Sequence, residues 1–423
     1  MSFKKAAVSV AIASITLAGC SREPTSAGGD ATPAAGAPAW KLTVETLSAP
    51  TGPATMLPRL TASERGVILS WVVRDRTKAE LRFAERLDSG WSAPTTIASS
   101  DKWFLSYADP PTVLRRPNGT LVANWLVSTN PDYEGSDLNF TYSQDNGKTW
   151  ARAIAPHHDG TEQQHAFPSF YELPDNRFGV MWLDGRDVQP TDALPNGGPM
   201  VLRYAEYDQQ WKRTGEGVVA PRTCECCSTT TAMTSDGVIA AFRDRSEKEI
   251  RDISVTRLEN GKWTTPATVH DDGWEVYSCP VNGPVLSARG RNAAVAWFTA
   301  KDDKGQAWAA FSSDAGRTWG EPIRLDDGVS LGRVGIELLD DGSAVASWVE
   351  IAGDRGQFKV RRIEPSGDRS DAVPVSSSSV RLSMDTPRMA RHGDDLFFAW
   401  TERADGDDSD AASQVHTASA HLP

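Results

Sequence analysis

The sequence has a deficit of positive charge and lacks long apolar runs. Its 423 residues include 44 Lys and Arg against 56 Asp and Glu, which gives a formal net charge of -12. A chain this acidic repels phosphate backbones, which argues against a nucleic-acid-binding protein. No apolar run approaches the roughly 20 residues that a helix needs to span a bilayer, which argues against a transmembrane helix.

There is also little room for long helices. The sequence contains 34 Gly and 26 Pro, which interrupt helices. Its aromatic usage is unusual, with 15 Trp against 13 Phe and 7 Tyr. This composition indicates an all-β chain of many short strands joined by turns.

The first 39 residues differ from the rest. Two lysines precede an apolar stretch over residues 6–17, and small residues then lead to Cys20. This pattern resembles a bacterial lipoprotein signal peptide. The resemblance implies removal of residues 1–19, acylation of Cys20, and a lipid-anchored protein on the periplasmic or outer-membrane side of the cell envelope. An ordinary signal peptide with an incidental cysteine is the alternative. Residues 20–39 are rich in Ala, Gly, Pro, Ser and Thr, which predicts a flexible tether.

A run of small or apolar residues that ends in an aromatic recurs seven times, at spacings of 51 to 60 residues. The aromatic residues are Trp71, Trp125, Trp182, Phe242, Trp297, Trp348 and Trp400. Between them, a turn followed by Trp and a short alternating segment recurs at Trp91, Trp150, Trp211, Trp263 and Trp319. A unit of about 55 residues with several short strands is typical of a β-propeller blade. We predict four-stranded blades over residues 40–423, with the first pattern in the second strand and the second pattern opening the outer strand.

Seven repeats predict seven blades, with a six-bladed propeller as the alternative. The last repeat, residues 387–421, supplies only three strands before the chain ends. The segment Trp40–Leu47 has the pattern of an outer strand, so we expect it to complete the last blade. Closure of this kind removes open sheet edges that would otherwise favour aggregation.

Two turns carry a sharper motif, S-x-D-x-G-x-x-W, over Ser143–Trp150 and Ser312–Trp319. Asp oxygens accept bonds from backbone N–H groups of the turn, Gly takes a positive φ, and Trp packs below. The motif resembles the Asp-box, or BNR repeat, of the sialidase superfamily, which implies a propeller from Trp40 to the C-terminus. In that family the boxes lie opposite the usual active site, so they indicate fold and not chemistry. The predicted structural residues are Asp145, Gly147, Trp150, Asp314, Gly316 and Trp319.

The resemblance also raises a glycosidase hypothesis. Sialidases bind the substrate carboxylate with three arginines and use a Tyr–Glu pair and an Asp. Arg59, Arg333 and Arg388 start the first strands of adjacent blades one, six and seven, and arginines bind carboxylates bidentately. However, the segment Ser383–Arg388 lacks the family's tyrosine, and Leu57–Leu60 does not match its F/Y-R-I-P segment. We therefore predict no catalytic residue and keep exo-sialidase or a related glycoside hydrolase as the alternative.

Charged triplets follow several of the predicted second strands, among them Arg243–Arg245. Alternating charges in such loops usually form solvated ion pairs, worth about 0–1 kcal/mol each. We expect a solvated rim there.

Cysteines and histidines concentrate in three consecutive connections between blades. The connection into blade four holds Cys224, Cys226 and Cys227, and the connection into blade five holds Cys279; His165 lies in the connection into blade three. Repetition of the blade puts these connections on one face, near the channel mouth. Disulfides form readily outside the cytosol, and only Cys224–Cys227 combined with Cys226–Cys279 avoids strained rings.

The competing interpretation of this cluster is a metal site. Three thiolates within four residues and a fourth from the next blade form a soft donor set, which selects copper or zinc. His165 could add a nitrogen ligand. We therefore expect an envelope-anchored binding module with a possible copper or zinc ion, an unknown envelope protein or glycan partner, and no nucleic acid.

Overall fold

The computed structural model describes residues 40–130, 135–188, 198–379, 386–403 and 412–423. The predicted signal peptide, Cys20 and the tether lie outside the described residues, as do Ser383, Met384 and Asp385. Among the described helices, none is long and apolar enough to cross a membrane.

The described residues form 29 strands and one short 3-10 helix, Lys301–Asp303. After β1 (Glu45–Leu47), the strands of blades one to three are β2 (Thr55–Ser63), β3 (Gly66–Asp75), β4 (Lys78–Leu87), β5 (Gly90–Trp91), β6 (Thr95–Ser100), β7 (Thr112–Arg115), β8 (Leu121–Asn130), β9 (Gly135–Ser143), β10 (His165–Leu173), β11 (Arg177–Asp184), β12 (Met200–Tyr207) and β13 (Arg213–Thr223).

The strands of blades four to seven follow in the same order. They are β14 (Thr230–Thr234), β15 (Gly237–Arg243), β16 (Ile253–Glu259), β17 (Lys262–Trp263), β18 (Ala267–Thr268), β19 (Val285–Arg289), β20 (Asn292–Thr299), β21 (Gln306–Ser312), β22 (Ile323–Arg324), β23 (Ser330–Leu338), β24 (Ala344–Ala352), β25 (Arg355–Ile363), β26 (Val373–Ser379), β27 (Arg388–His392), β28 (Asp395–Arg403) and β29 (Ser413–His421).

These strands form seven antiparallel sheets, which confirms the seven-bladed propeller. Blades three, five, six and seven have four strands, whereas blades one and four split the outer strand into two short pieces. Blade two pairs only β7, β8 and β9, and its outer strand is reduced to a bridge between Phe140 and Ile154. The six-bladed alternative is wrong.

The second strand of each blade is buried on both faces because neighbouring blades cover it. Such strands read as continuous apolar runs rather than as alternating ones. All seven predicted aromatics lie in these strands, and Trp71, Trp182, Trp297 and Trp348 are among the largest fully buried side chains. The cores lie between blades, as where β3 and β4 pack against β7 and β8.

The outer tryptophans match their prediction in part. Trp91 and Trp263 lie in β5 and β17, but Trp150, Trp211 and Trp319 come before the outer strand and belong to the turn. In these turns the indole ring packs beneath the loop, as Trp150 does edge-on against Phe83.

The ends of the chain close the ring as predicted. Strand β1 pairs antiparallel with β29, with Glu45 opposite Ser419 and Leu47 opposite Thr417. The pairing strand is shorter than the predicted segment, since residues 40–44 are not in a strand. Leu42 is nevertheless buried in the core that blades six and seven share.

The two Asp-box turns have the same hydrogen-bond network. In the first, the Ser143 hydroxyl donates to Asp145 Oδ1 at 2.8 Å and accepts from the Gly147 N–H at 2.8 Å. The Thr149 N–H and hydroxyl donate to the two Asp145 oxygens at 2.9 and 2.6 Å. Gly147 has a φ of 83°, and an added Cβ would lie 2.8 Å from Phe83.

In the second turn, the equivalent bonds of Ser312, Asp314, Gly316 and Thr318 measure 2.7 to 3.0 Å. These bonds stabilise the ionised carboxylate. The Thr149 hydroxyl lowers the pKa of Asp145 to about 2, and in the second box the Thr318 bonds outweigh burial and lower the pKa of Asp314 to about 2.

Candidate functional site

The three predicted arginines lie in the first strands of adjacent blades: Arg59 in β2, Arg333 in β23 and Arg388 in β27. Arg333 and Arg388 line one central depression. The Arg333 guanidinium carbon lies 5.4 Å from the centre of the Tyr107 ring. The hub therefore gathers cationic groups that could bind an anion.

A carboxyl group that the sequence did not point to completes this centre. Asp109 accepts a hydrogen bond from the Phe167 N–H at 2.6 Å. Burial raises the pKa of Asp109 to about 6, although this bond and the charges of Arg59 and Arg388 act to lower it. Asp109 and Tyr107 lie in the connection into blade two. The rule that places such connections on the functional face could have identified them.

The cysteines lie in two layers. Cys226 and Cys279 form a disulfide with a Cα–Cα distance of 6.0 Å, which links the connections into blades four and five. Cys224 and Cys227 are unpaired thiols, each 1% exposed, with their sulfurs 2.9 Å apart. Cys224 Sγ also lies 3.9 Å from Cys226 Sγ. The buried pair thus sits against a half-buried disulfide.

A buried ionic network surrounds the thiols. Arg251 donates to Cys224 Sγ at 3.5 Å and to Glu225 at 3.0 Å. Arg245 donates to Glu225 at 2.8 Å and to Glu249 at 2.9 Å. Both arginines are at most 2% exposed, and their charge compensates the two glutamates.

The expected solvated rim at Arg243–Arg245 is wrong. Arg243 is 1% exposed and donates to the carbonyl oxygens of Asn282 and Phe298 at 2.8 and 2.7 Å. Backbone carbonyls of the next blade enclose the guanidinium, so it joins two blades rather than facing solvent.

The network makes the two thiols unequal. Burial and the neighbouring Cys227 raise the pKa of Cys224 well above its usual value. Burial acts to raise the pKa of Cys227 as well, but the hydrogen bond from the Cys224 thiol and the charge of Arg243 lower it below the usual value. The arrangement therefore favours a thiolate on Cys227 that accepts from a thiol on Cys224.

His165 does not lie with the cysteines. Its Nε2 bonds Asp159 Oδ2 at 2.8 Å, and its Nδ1 bonds the Ser136 carbonyl at 3.3 Å. The guanidinium of Arg186 bridges Asp159 and Asp184, at 3.1 and 2.6 Å. Both ring nitrogens are thus bonded, and an arginine already takes the place of a cation between the two aspartates.

A second histidine stacks on His165. The His157 ring lies 3.8 Å from it, centre to centre, at an angle of 7°. The buried His157 Nε2 has no hydrogen-bond partner among the described residues and lies 3.6 Å from Asp137 Oδ1. Burial lowers the pKa of His157 to about 4, and the charge of His165 acts in the same direction. We call this group the histidine cluster: His157, His165, Asp137, Asp159, Asp184 and Arg186.

Potential metal ligands therefore gather in two separate places. Ligand atoms of Cys224, Cys226 and Cys227 lie within 4.8 Å of one another, and so do those of Asp137, His157 and His165. In the histidine cluster, however, parallel rings cannot both hold one ion in their planes without rotating. Both groups of ligand atoms could hold a metal ion, and we call Cys224, Cys226 and Cys227 the thiol cluster.

No protein-family model matches the sequence, and no curated protein matches it. Among solved structures, the chain is similar to a protein of unknown function from Dyadobacter fermentans, with 12% identity, a TM-score of 0.49, and coverage of 91% of this chain and 99% of that one. It is also similar to the polysaccharide lyase Uly1, with 11% identity, a TM-score of 0.49 and coverage of 86% and 89%.

A third similar structure is the NanB sialidase from Streptococcus pneumoniae. It shows 9% identity, a TM-score of 0.45, and coverage of 90% of this chain and 94% of that chain. Likenesses at this level concern the propeller fold and say nothing about activity.

Proposed function

We propose that this chain is a binding propeller in which Cys224 and Cys227 hold a soft metal ion, either copper or zinc. The observation that carries the proposal is a pair of buried, unpaired thiols with sulfurs 2.9 Å apart. Thiolates select soft ions over Mg²⁺ or Ca²⁺. Cys226 and Cys279 are bonded to each other, so they are not ligands in this state.

The charges around the thiols favour a monovalent ion. Two thiolates around Cu(I) carry one net negative charge, which Arg243 can compensate, since it pairs with backbone carbonyls rather than with a carboxylate and its charge already acts on Cys227. Zinc would require two further ligands, since structural zinc is tetrahedral. Metal–sulfur bonds of about 2.3 Å put two sulfurs roughly 4 Å apart. The two side chains must therefore rotate on binding, so that the distance between their sulfurs increases by about 1 Å.

The test is a competition titration of the reduced protein with Cu(I) and a chromophoric chelator. We expect one ion per chain, with affinity falling at least 100-fold in the Cys224→Ser/Cys227→Ser double variant. The exposed His158, changed to Ala, is the matched control and should bind as the wild type does. Equal affinity in the double variant would contradict the proposal.

Anchoring in the envelope is part of the same proposal and rests on the sequence of the first 39 residues. Acylation of Cys20 would hold the propeller at a membrane surface through a flexible tether. We expect the protein in the membrane fraction, and Cys20→Ser should move it to the soluble fraction. An unchanged distribution of the Cys20→Ser variant would contradict lipid anchoring.

The second candidate function is hydrolysis of an acidic glycoside at the central depression. The observation in its favour is Asp109, a carboxyl with a pKa of about 6 next to Arg59 and Arg388, with Tyr107 against Arg333. A carboxyl with a raised pKa suits general acid catalysis. We expect no turnover of a sialic-acid aryl glycoside. Turnover that is lost in both Arg388→Ala and Asp109→Asn would favour this candidate over the binding function.

A further inference from the structure

We propose that the cysteine cluster reduces external disulfides by thiol–disulfide exchange, with Cys224 and Cys227 as a buried electron store and Cys226–Cys279 as the surface pair. This activity goes beyond metal binding and requires no ion. Its substrate class is a disulfide that can reach the central depression.

The two pairs differ in access. Cys226 lines the central depression together with Ser228 and Arg388, and the disulfide it forms with Cys279 is half-buried. Cys224 and Cys227 are each 1% exposed, so an external disulfide cannot contact them directly. Exchange between the pairs is the available route for electrons.

The sulfur positions support that route through Cys226. Cys226 Sγ lies within 4.8 Å of both buried sulfurs, and these three sulfurs form one group of possible ligand atoms. Cys279 Sγ forms a group of this kind with Cys226 Sγ and a carboxylate oxygen of Glu225. Among the described residues, Cys279 forms no such group with Cys224 or Cys227. Thiolate attack on a disulfide proceeds in line with the leaving sulfur, and Cys224, at 3.9 Å, is in van der Waals contact with the sulfur to be attacked.

The exchange within the protein is balanced. The Cys227 thiolate takes the proton of the Cys224 thiol, to which it is hydrogen-bonded, and Cys224 Sγ attacks Cys226 Sγ. The Cys226–Cys279 bond breaks, and Cys279 leaves as a thiolate that takes this proton from Cys227. Cys227 thiolate then attacks Cys224 Sγ and releases Cys226. One disulfide has been replaced by another; the proton of the Cys224 thiol ends on Cys279, and the Cys226 thiolate takes a proton from water.

The second stage involves the external disulfide. Cys226 and Cys279 exchange with it, their own disulfide re-forms, and the external sulfurs leave as two thiols that carry two electrons and two protons. The protein ends with two disulfides. The Cys224–Cys226 intermediate closes a C-x-C ring, whose strain favours transfer to Cys227.

Two variants with one sulfur removed separate this relay from direct oxidation. Oxidised glutathione is the probe, a chelator is present, and differential alkylation with mass spectrometry maps the disulfides of the full chain. In the wild type we expect both disulfides and two glutathione thiols per chain. Cys226→Ser should slow oxidation of the buried pair at least tenfold, whereas the exposed control His158→Ala should keep the wild-type rate.

Wild-type rates in Cys226→Ser, or buried thiols that stay reduced in the wild type, would overturn the proposal. A second measurement does not depend on whether the Cys226→Ser variant folds. In Cys227→Ser, oxidised glutathione should trap the released Cys279 as a mixed disulfide and so hold the strained Cys224–Cys226 disulfide, and retention of Cys226–Cys279 alone would count against the relay. Because Cys226→Ser keeps Cys224 and Cys227, it should still bind Cu(I), so failure of the relay and failure of metal binding are distinguishable.

Discussion

The thiol cluster and the histidine cluster arise from equivalent connections of neighbouring blades, yet they differ in what is left for a ligand. In the histidine cluster, each ring nitrogen of His165 is bonded and Arg186 forms ion pairs with two aspartates. In the thiol cluster, arginines neutralise the glutamates but leave two sulfurs facing each other. Position on the functional face gathers reactive residues, but their immediate partners decide whether they can bind or react.

The strongest test of this difference compares a buried arginine next to the thiol cluster with a partly exposed arginine outside both clusters. Arg251→Ala removes a cation that is 1% exposed and leaves Glu225 and Glu249 buried with reduced compensation. Breaking a buried ion pair costs about 3–5 kcal/mol, and we expect a loss of that order in the free energy of unfolding. The measurement is urea denaturation.

The matched control is Arg213→Ala. Arg213 pairs at 2.8 Å with the exposed Glu216, beside the histidine cluster. Exposed pairs contribute about 0–1 kcal/mol, so this variant should unfold close to the wild type. Equal losses in the two variants would show that the buried network does not set the thiol cluster apart.

The next test uses pH and concerns His157. Its pKa of about 4 in the folded protein lies below the ordinary value of 6.5, so the unfolded chain binds more protons between these values. The contribution of the neutral His157 to the free energy of unfolding is complete above pH 6.5. It falls by roughly 3 kcal/mol as the pH drops towards 4. The charged and titratable neighbours are His165, Asp137, Asp159, Asp184 and Arg186.

Denaturation at pH 7, 5.5 and 4 would measure this loss. The His157→Phe variant keeps a ring that can stack on His165 but does not titrate, so its stability should depend less on pH over this range. The neighbouring carboxylates titrate in both proteins, so the quantity to compare is the difference in pH dependence between the wild type and His157→Phe. If the pH dependence of stability in His157→Phe equals that of the wild type, the lowered pKa of His157 is not the cause of the loss.

The periodicity of the sequence predicted most of the fold, whereas the chemistry of the site depends on contacts between residues that are distant in the sequence. The aromatic spacing predicted seven blades because the second strand of each blade must fill the same buried position between two neighbouring blades. Nothing in the sequence indicated that blade two would lack a full outer strand. Likewise, the charges at Arg243–Arg245 look the same whether water or the carbonyl of Asn282 surrounds them, and only tertiary structure distinguishes the two.

The smallest expected effect tests whether the two clusters are independent. The sequence made His165 a candidate ligand of the cysteine site, but its Nε2 and Nδ1 are bonded to Asp159 and the Ser136 carbonyl. We therefore expect His165→Asn to bind Cu(I) within about twofold of the wild type, since sites without shared partners act almost additively. The variant should be less stable, because it removes a buried ring and its bond to Asp159, so affinity must be measured well below its unfolding midpoint. A tenfold loss of Cu(I) affinity in a folded His165→Asn protein would mean that the histidine reaches the thiols, and the two clusters would then be one site.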